Sequence, residues 1–323
     1  MERSLIKLFS ISLLCLLTGM VSSAHHDIVN FGLVVHGGSG MYSGLTKARA
    51  KAYKEGIDAA LVTGYKILEK GGTSLDAVTT VVTILEDLPQ FNAGKGAVYT
   101  SAEVQEMDAS IMDGATGKGG AVASVSHIKN PILLSRAVME KSEHVMLVSK
   151  GAEQFALSVG IELVDPSYFY SEKNLNRVRK NKKDKKMGTV GAVALDKNGN
   201  LSAATSTGGR SNKMPGRVGD SPILGAGTWA QNGLCAVSGT GQGEYFMRLL
   251  TAADVCKLME YSNLSLDKSS HLVIKKLTEA GGEGGIISLD SKGNISTPFN
   301  TEGMIRGYQT NKISKVIKIY KDD

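Results

Sequence analysis

The pattern of apolar and polar positions predicts both helices and strands in this chain. Residues 31–36 form a short apolar run closed by two glycines, which is typical of a buried strand. Residues 45–70 place Ala, Leu and Ile at helical spacing, and Thr73 can cap a second helix that ends at Pro89. Further strands are predicted at 104–112, 120–126 and 144–148, and further helices from Asn130-Pro131 and near 150–158.

The second half of the chain repeats one arrangement. Two β-rich runs, 189–196 and 201–207, flank an Asn-Gly turn, which is a strong signal for a hairpin. Strand pairs that alternate with helices predict sheets covered by helices on their outer faces. The other elements of this half are predicted strands at 285–290 and 295–299 and helices at 242–260 and 266–280.

Residues 1–24 have the pattern of a secretory signal peptide. Lys7 precedes an uncharged run from Leu8 to Leu17, and Ser22-Ser23-Ala24 supplies small residues at the cleavage point. The run is shorter than the roughly 20 apolar residues that a membrane span needs. We therefore expect cleavage after Ala24, a secreted or periplasmic protein, and no membrane attachment after the signal is removed.

Positive charge is concentrated in one segment. The chain has a net charge of +6, and residues 173–186 alone hold eight Lys or Arg against one Asp. Like charges with few apolar residues do not fold compactly, so a flexible basic linker is predicted at about 168–187. Nucleic-acid binding is not expected of a secreted chain. The overall apolar content of 42% excludes general disorder.

The cysteines and histidines define no metal or cofactor motif. Cys235 and Cys256 remain after signal removal, and the sequence allows either a disulfide in an oxidising compartment or two packed thiols. No zinc-binding spacing, phosphate-binding loop or dinucleotide fingerprint is present. No cofactor is therefore expected.

A threonine stands where the basic segment ends and a strand begins. Cleavage between Gly188 and Thr189 would give Thr189 both a hydroxyl nucleophile and a free α-amine that can act as its base. The reference pKa of such an amine is about 8, so much of it is neutral near neutral pH. The alternative is an ordinary threonine at the start of a strand, where threonine is common.

Other polar residues follow in turns. Thr207 ends the strand that pairs with the one after Thr189, so the hairpin brings the two hydroxyls together. Arg217 and Asp220 lie in a Gly/Pro loop, where they can hold the carboxylate and the amine of a free amino acid. Residues 239–244 (GTGQGE) can present backbone N–H groups to an oxyanion. The alternatives are a solvated ion pair and a plain Gly-rich turn.

Several long motifs occur in order and resemble one family. They are HGGSG at 36–40, FNAGKGAVYT at 91–100, MDASIMDG at 107–114, GTVGAVALD at 188–196, ATSTGGRSNKMPGRVGDSPILGAGTWA at 204–230, SGTGQGE at 238–244 and FNTEGMIRG at 299–307. Together they resemble the plant-type L-asparaginase/isoaspartyl peptidase family of amino-terminal-nucleophile hydrolases. The resemblance implies an α+β fold, a four-layer αββα sandwich.

The resemblance also implies roles for individual residues. Thr189 is implied as the nucleophile that self-cleavage after Gly188 sets free, and Thr207 as its support. Asn92 matches an asparagine near the nucleophile. The implied substrate-binding residues are Arg217, Val218, Gly219, Asp220, Thr240, Gly241, Gln242 and Gly243, with Thr240 and Gly241 forming the oxyanion hole. His36 is expected to belong to the Gly turn after the first strand rather than to act as a base.

The implied enzyme is a self-cleaving amidohydrolase that acts on L-asparagine and β-aspartyl dipeptides. Its α subunit would be 25–188 and its β subunit 189–323, folded as one domain and assembled as a dimer of αβ heterodimers. A structural sodium ion is implied at the backbone carbonyls of Leu85, Glu86, Leu88, Phe91, Ala93 and Lys95. The alternatives are a glycosylasparaginase-like amidase and an inactive secreted binding protein. Gly188 argues against the first, because glycosylasparaginases usually have Asp at that position.

Overall fold

Two β-sheets form the centre of the protein in its computed structural model, which describes residues 30–180 and 188–322. The predicted signal peptide and residues 181–187 of the predicted linker lie outside the described residues. The larger sheet has the strand order β12-β11-β1-β5-β6-β2-β3-β4, and the smaller sheet has the order β10-β9-β8-β7. All neighbouring strands are antiparallel except β3 and β4, which are parallel.

The strands are β1 Gly32–Gly40, β2 Met107–Asp113, β3 Gly119–Val125, β4 Met146–Val148, β5 Val190–Leu195, β6 Leu201–Thr207, β7 Thr228–Ala230, β8 Cys235–Gly241, β9 Gly284–Asp290, β10 Ile295–Ser296, β11 Gly303–Thr310 and β12 Val316–Lys318. The helices are α1 Lys47–Glu69, α2 Ser74–Asp87, α3 Pro131–Lys141, α4 Ser149–Ser158, α5 Glu172–Arg179, α6 Gly243–Leu249, α7 Thr251–Ser262 and α8 Leu266–Glu279. In the described ranges, no helix combines the length and the apolar character needed to cross a membrane.

Side-chain alternation along β1 shows how the layers are built. Leu33 and Val35 join the core that α1, α2 and α3 form on one face of the larger sheet. Val34 points the other way, into a second core shared with β8 and β9 of the smaller sheet. A third core joins the outer face of the smaller sheet to α7 and α8. The fold is therefore mixed α and β with two sheets, as predicted, and its contacts agree with an αββα order of layers.

Most predicted elements are present, and their local causes are visible. The Asn-Gly hairpin joins β5 to β6, and Gly199 has a φ of 81°, which glycine adopts without strain. Thr73 caps α2 by accepting a hydrogen bond from the backbone of Asp76 at 3.0 Å. The single helix predicted at 242–260 is instead α6 and α7, because Leu250 between them is left-handed with a φ of 50°.

The prediction of a flexible linker at 168–187 is wrong for its first part. Residues 172–179 form α5, which Ser171 caps and in which Val178 is buried. The buried amide of Asn174 donates to the carbonyl of Gly96 at 3.2 Å, and Arg179 makes two hydrogen bonds to Glu103 at 2.9 and 2.7 Å. These contacts hold a basic helix that charge counting alone assigns to a linker.

Cys235 and Cys256 form a disulfide. Their Cα atoms are 5.6 Å apart, a separation that suits the bond. Cys235 begins β8 and Cys256 lies in α7, so the bond joins the smaller sheet to a helix that covers it. Of the two alternatives that the sequence allows, the structure has the disulfide.

Candidate active site

Thr189 lies directly before β5, at one edge of the space between the sheets. Its side chain is buried, and its hydroxyl donates to the hydroxyl oxygen of Thr207 at 3.2 Å. The register of the hairpin pairs Val190 with Ser206, which places Thr207 at the end of β6 beside Thr189. The structure therefore brings these two hydroxyls together as the hairpin predicted.

The carbonyl oxygen of Gly188 is the focus of the hydrogen bonds around Thr189. It accepts from the side-chain amide of Asn92 at 2.7 Å and from the hydroxyl of Thr207 at 3.1 Å. Thr207 in turn accepts from the backbone N–H of Gly209 at 2.9 Å. The peptide before Thr189 thus has its oxygen between two donors, and the hydroxyl of Thr189 reaches the same group through Thr207.

Asn92 is fixed by four hydrogen bonds, of which the one to Gly188 is the first. Its amide nitrogen also donates to the carbonyl of Gly209 at 2.7 Å, and its oxygen accepts from the backbone of Val98 at 3.0 Å. The backbone carbonyl of Asn92 accepts from Gly208 at 2.9 Å. The loop after α2 is therefore tied to the end of β6, with the Asn92 amide directed at Gly188.

A small cavity adjoins Thr189. Arg217 and Asp220 both line it, and their side chains come from the loop predicted to hold an amino acid. Its lining residues are Gly188, Thr189, Thr207, Gly209, Arg210, Arg217, Gly219, Asp220, Ser221 and Gly241. The structure thus places the nucleophile candidate beside two arginines and one aspartate that line the same small cavity.

The other predicted substrate-binding residues have different positions. Gly241 lines the cavity, whereas Thr240 is buried behind it, with its hydroxyl oxygen accepting from the backbone of Ser39 at 3.1 Å. A Cβ atom at Gly243 would come within 2.8 Å of a carboxylate oxygen of Asp220, so this position requires glycine. Gln242 points to Glu283 at 3.4 Å, and neither Gln242 nor Val218 lines the cavity.

Glu244 is a site residue that the sequence analysis missed. Its carboxylate accepts from the Nε and Nη2 atoms of Arg217 at 3.1 and 2.9 Å, and its second oxygen is 3.7 Å from Arg210. Glu244 therefore occupies one edge of the Arg217 guanidinium. The Nη1 atom of Arg217 remains directed at Gly209 and Gly219, which both line the cavity. The only sequence signal was an acidic residue in the first turn of a helix.

Burial dominates the electrostatics of Asp220. Removal from water raises the pKa of its carboxyl to about 6, although the Arg217 charge works in the opposite direction. One of its carboxylate oxygens is buried and makes no hydrogen bond to the described residues. A buried carboxylate with an open acceptor, beside a cavity, suits a cationic group of a ligand.

A buried polar network links the two sheets behind Thr189. The ring of His36 contacts Ser238 at 2.9 Å, and Ser238 contacts Thr205 at 2.7 Å, which in turn accepts from Thr228 at 2.7 Å. Burial lowers the pKa of His36 to about 3, so the ring is neutral at ordinary pH. The expectation that His36 belongs to a Gly turn after the first strand is wrong, because His36 lies within β1, which passes through a bulge before Gly38 and continues to Gly40.

The loop at which the resemblance implies a sodium ion is tightly folded. A Cβ atom at Gly94 would come within 2.5 Å of the carbonyl oxygen of Glu86, and one at Gly96 would collide with that of Phe91. Backbone carbonyls are suitable ligands for a hard cation. Elsewhere in the described residues, no cluster of His, Cys, Asp and Glu side chains could hold a metal.

Two packed sheets hold the buried Thr189 hydroxyl close to the Gly188 carbonyl, through Thr207, and beside a cavity lined by charged side chains, an arrangement suited to a hydrolase. The sequence profile of the family described as asparaginase matches residues 29–319, so the chain belongs to the asparaginase family of hydrolases. Three relatives are similar over most of the chain. The isoaspartyl peptidase of Escherichia coli (strain K12) is 48% identical over 294 residues, which cover 85% of this chain and 92% of the relative. The isoaspartyl peptidase of Salmonella typhimurium is 47% identical over 294 residues, which cover 85% of this chain and 94% of the relative. The isoaspartyl peptidase/L-asparaginase of Bos taurus is 41% identical over 282 residues, which cover 84% of this chain and 91% of the relative.

Proposed function

We propose that this protein is an isoaspartyl peptidase/L-asparaginase that becomes active by cleaving its own Gly188–Thr189 bond. The observation that carries the proposal is the position of the buried Thr189 hydroxyl. It is hydrogen-bonded to Thr207, which also donates to the Gly188 carbonyl, beside a cavity that holds Arg217 and Asp220. The names of the relatives support the substrate class. No observation favours the glycosylasparaginase-like or the inactive alternative.

In the proposed self-cleavage, the hydroxyl oxygen of Thr189 attacks the carbonyl carbon of Gly188. The charge that develops on the carbonyl oxygen is stabilised by Asn92 and Thr207, the two donors that contact it in the uncleaved chain. The C–N bond then breaks, the amine takes up a proton, and Gly188 becomes esterified to the Thr189 oxygen. Water hydrolyses this ester, which leaves a carboxylate on Gly188 and a free amine on Thr189.

In the proposed turnover, the free amine of Thr189 accepts the proton of its own hydroxyl. The oxygen attacks the side-chain amide carbon of asparagine or of a β-aspartyl dipeptide, and the leaving amine departs with a proton. Arg217 binds the α-carboxylate and Asp220 the α-ammonium, whose positive charge favours the ionised carboxylate. Gly241 lines the cavity, which fits its implied role as an oxyanion donor, and the role of Thr240 rests on the resemblance. Water then hydrolyses the aspartyl ester to release aspartate.

We further propose a structural sodium ion, secretion and self-association. The sodium ion would stabilise the loop that carries Asn92, and its proposal rests on the resemblance. The Cys235–Cys256 disulfide supports an oxidising compartment, in agreement with the signal peptide predicted at 1–24. Assembly as a dimer of αβ heterodimers rests on the resemblance alone, and the molar mass of the purified protein in solution tests it.

Amino-terminal sequencing of active protein, combined with an assay for aspartate release, tests the central proposal. We expect two chains, of which the second begins at Thr189, and activity that appears in step with that chain. Thr189→Ala should remain one uncut and inactive chain, whereas Thr189→Ser keeps a hydroxyl and serves as the matched control. An active single chain, or a second chain that begins elsewhere, would show that the nucleophile is wrongly assigned.

A further inference from the structure

A second cavity adjoins the same peptide group as the Thr189 cavity. Gly188 lines both, and Asn92 lines the second one only. This second cavity lies between the start of α1, the loop after α2 and α5. We call it the Arg49 pocket. Its walls include the cations Arg49, Lys173 and Arg177 and the aromatic residues Tyr42, Tyr53 and Phe91.

The charged side chains among the described residues of the Arg49 pocket are all basic. Three basic side chains line it, and no Asp or Glu occurs among the described residues of its wall. Arg49 is half-buried, and its guanidinium lies 6.0 Å from the ring centre of Tyr53 and 3.4 Å from its hydroxyl. These contacts orient a planar, permanently charged donor at the pocket wall. A guanidinium of this kind binds a carboxylate through paired hydrogen bonds.

We propose that the Arg49 pocket is the subsite for the leaving residue of a β-aspartyl dipeptide and that Arg49 binds the terminal carboxylate of that residue. The inference rests on the proposed function and goes beyond it by naming what lies on the other side of the reacting carbonyl. Arg217 and Asp220 hold the aspartyl half of the substrate in the Thr189 cavity. The leaving nitrogen must accept its proton from the amine of Thr189, which lies where Gly188 is attached before cleavage. The Arg49 pocket is the space that borders that point.

Three substrates distinguish the contribution of the Arg49 pocket to catalysis from that of the Thr189 cavity. Asparagine releases ammonia and has no group to place in the Arg49 pocket. β-Aspartyl-leucine releases a residue with a carboxylate, and β-aspartyl-leucinamide releases the same residue without that charge. All three share the aspartyl half, so the Thr189 cavity treats them alike. A preference of the wild-type enzyme for the free carboxylate over the amide, by at least about tenfold in kcat/KM, is therefore expected.

Arg49→Ala should lower kcat/KM for β-aspartyl-leucine about tenfold or more and should change that for asparagine and for the leucinamide less than twofold. Arg49→Lys should recover part of the loss because it keeps the charge without the planar fork. Lys51→Ala is the matched control, since Lys51 lies on the same helix, is largely exposed and does not line the pocket. All variants should self-cleave normally.

Equal losses on all three substrates, or no loss on β-aspartyl-leucine, would overturn the subsite. So would equal wild-type rates on β-aspartyl-leucine and its amide, a measurement that needs no variant. Slower self-cleavage of Arg49→Ala with unchanged substrate ratios would assign Arg49 to maturation instead. Failure of the proposed function gives a different result, because the wild-type protein would then release no aspartate from any of the three.

Discussion

Replacing Asn92 by Asp tests how the uncleaved chain stabilises its own reaction. The Asn92 amide donates to the Gly188 carbonyl at 2.7 Å, and Asp cannot donate there, although it still accepts from Val98. Removal of one oxyanion donor typically costs about 2.7–4 kcal/mol, or about 10²–10³ in rate. A carboxylate beside the developing negative charge adds repulsion. We therefore expect self-cleavage to slow by at least about 100-fold.

The assay follows the conversion of freshly translated precursor to two chains on a denaturing gel. Asn174→Asp is the matched control, because its amide donates to the carbonyls of Gly96 and Ala97 in the same region but makes no hydrogen bond to Gly188. We expect this control to cleave within a few-fold of the wild-type rate. Cleavage of Asn92→Asp within threefold of wild type would refute the role of Asn92 as a donor to the oxyanion.

Three further predictions follow from the charges of the site and its surroundings. The pKa of Asp220 is raised to about 6, and the amine of Thr189 has a reference pKa of about 8. As pH falls, log kcat/KM should therefore decrease with a slope of one between about pH 8 and 6, because the Thr189 amine becomes protonated, and with a slope approaching two below pH 6, because Asp220 does too. A slope of one down to pH 5 would contradict this. Glu244→Gln should raise KM about tenfold with little change in kcat, because Arg217 loses its charged partner. Glu283→Gln is the control and should have no effect. A lower KM for Glu244→Gln would mean that Glu244 competes with substrate for Arg217. Burial raises the pKa of Glu86 to about 8, so the folded protein binds this proton more tightly than the unfolded chain and loses stability as pH rises towards and through 8. Between pH 6 and 9, the melting temperature of Glu86→Gln should therefore fall by several degrees less than that of the wild type. Equal decreases in melting temperature would refute the shift.

Local sequence patterns predict the parts of the fold that depend on contacts between residues close together in the chain. The Asn-Gly turn predicted the β5–β6 hairpin, and that hairpin alone places Thr207 beside Thr189. Strands β7, β11 and β12 had no such signal. β11 mixes glycines with polar residues, and it is held by pairing with β1, more than 260 residues away in the sequence. A contact of that range leaves no trace in local periodicity.

The same distinction separates the site residues that were found from those that were missed. Arg217 and Asp220 share one Gly/Pro loop, so their spacing could indicate a common ligand. Glu244 was missed because its partner Arg217 is 27 residues away and the two meet only when α6 begins beside the loop. Asn92 came from the resemblance, since nothing in its own loop predicts an amide directed at Gly188. The roles assigned to these residues stay predictions until the variants are measured.

Gly191 shows most clearly how the sheet packing constrains the site. It follows Thr189 by two positions, and a Cβ atom there would collide with the side chains of Ser238 and His36 and lie 3.0 Å from the carbonyl of Ala204. Only glycine lets β5 approach the smaller sheet so closely. Gly191→Ala should therefore destabilise the protein by about 1–3 kcal/mol and displace Thr189, which slows self-cleavage.

Two comparisons test this explanation of Gly191. Gly151→Ala is the control, because this helical glycine has open space around its Cβ position and should tolerate the methyl group or gain stability. Combining Gly191→Ala with Ser238→Ala removes one of the colliding atoms and should restore part of the cleavage rate, although His36 still limits the fit. A Gly191→Ala protein that melts and cleaves like wild type would contradict this explanation. It would mean that the sheets can move apart without loss of stability, and that Thr189 is positioned by its hydrogen bond to Thr207 rather than by the sheet packing behind it.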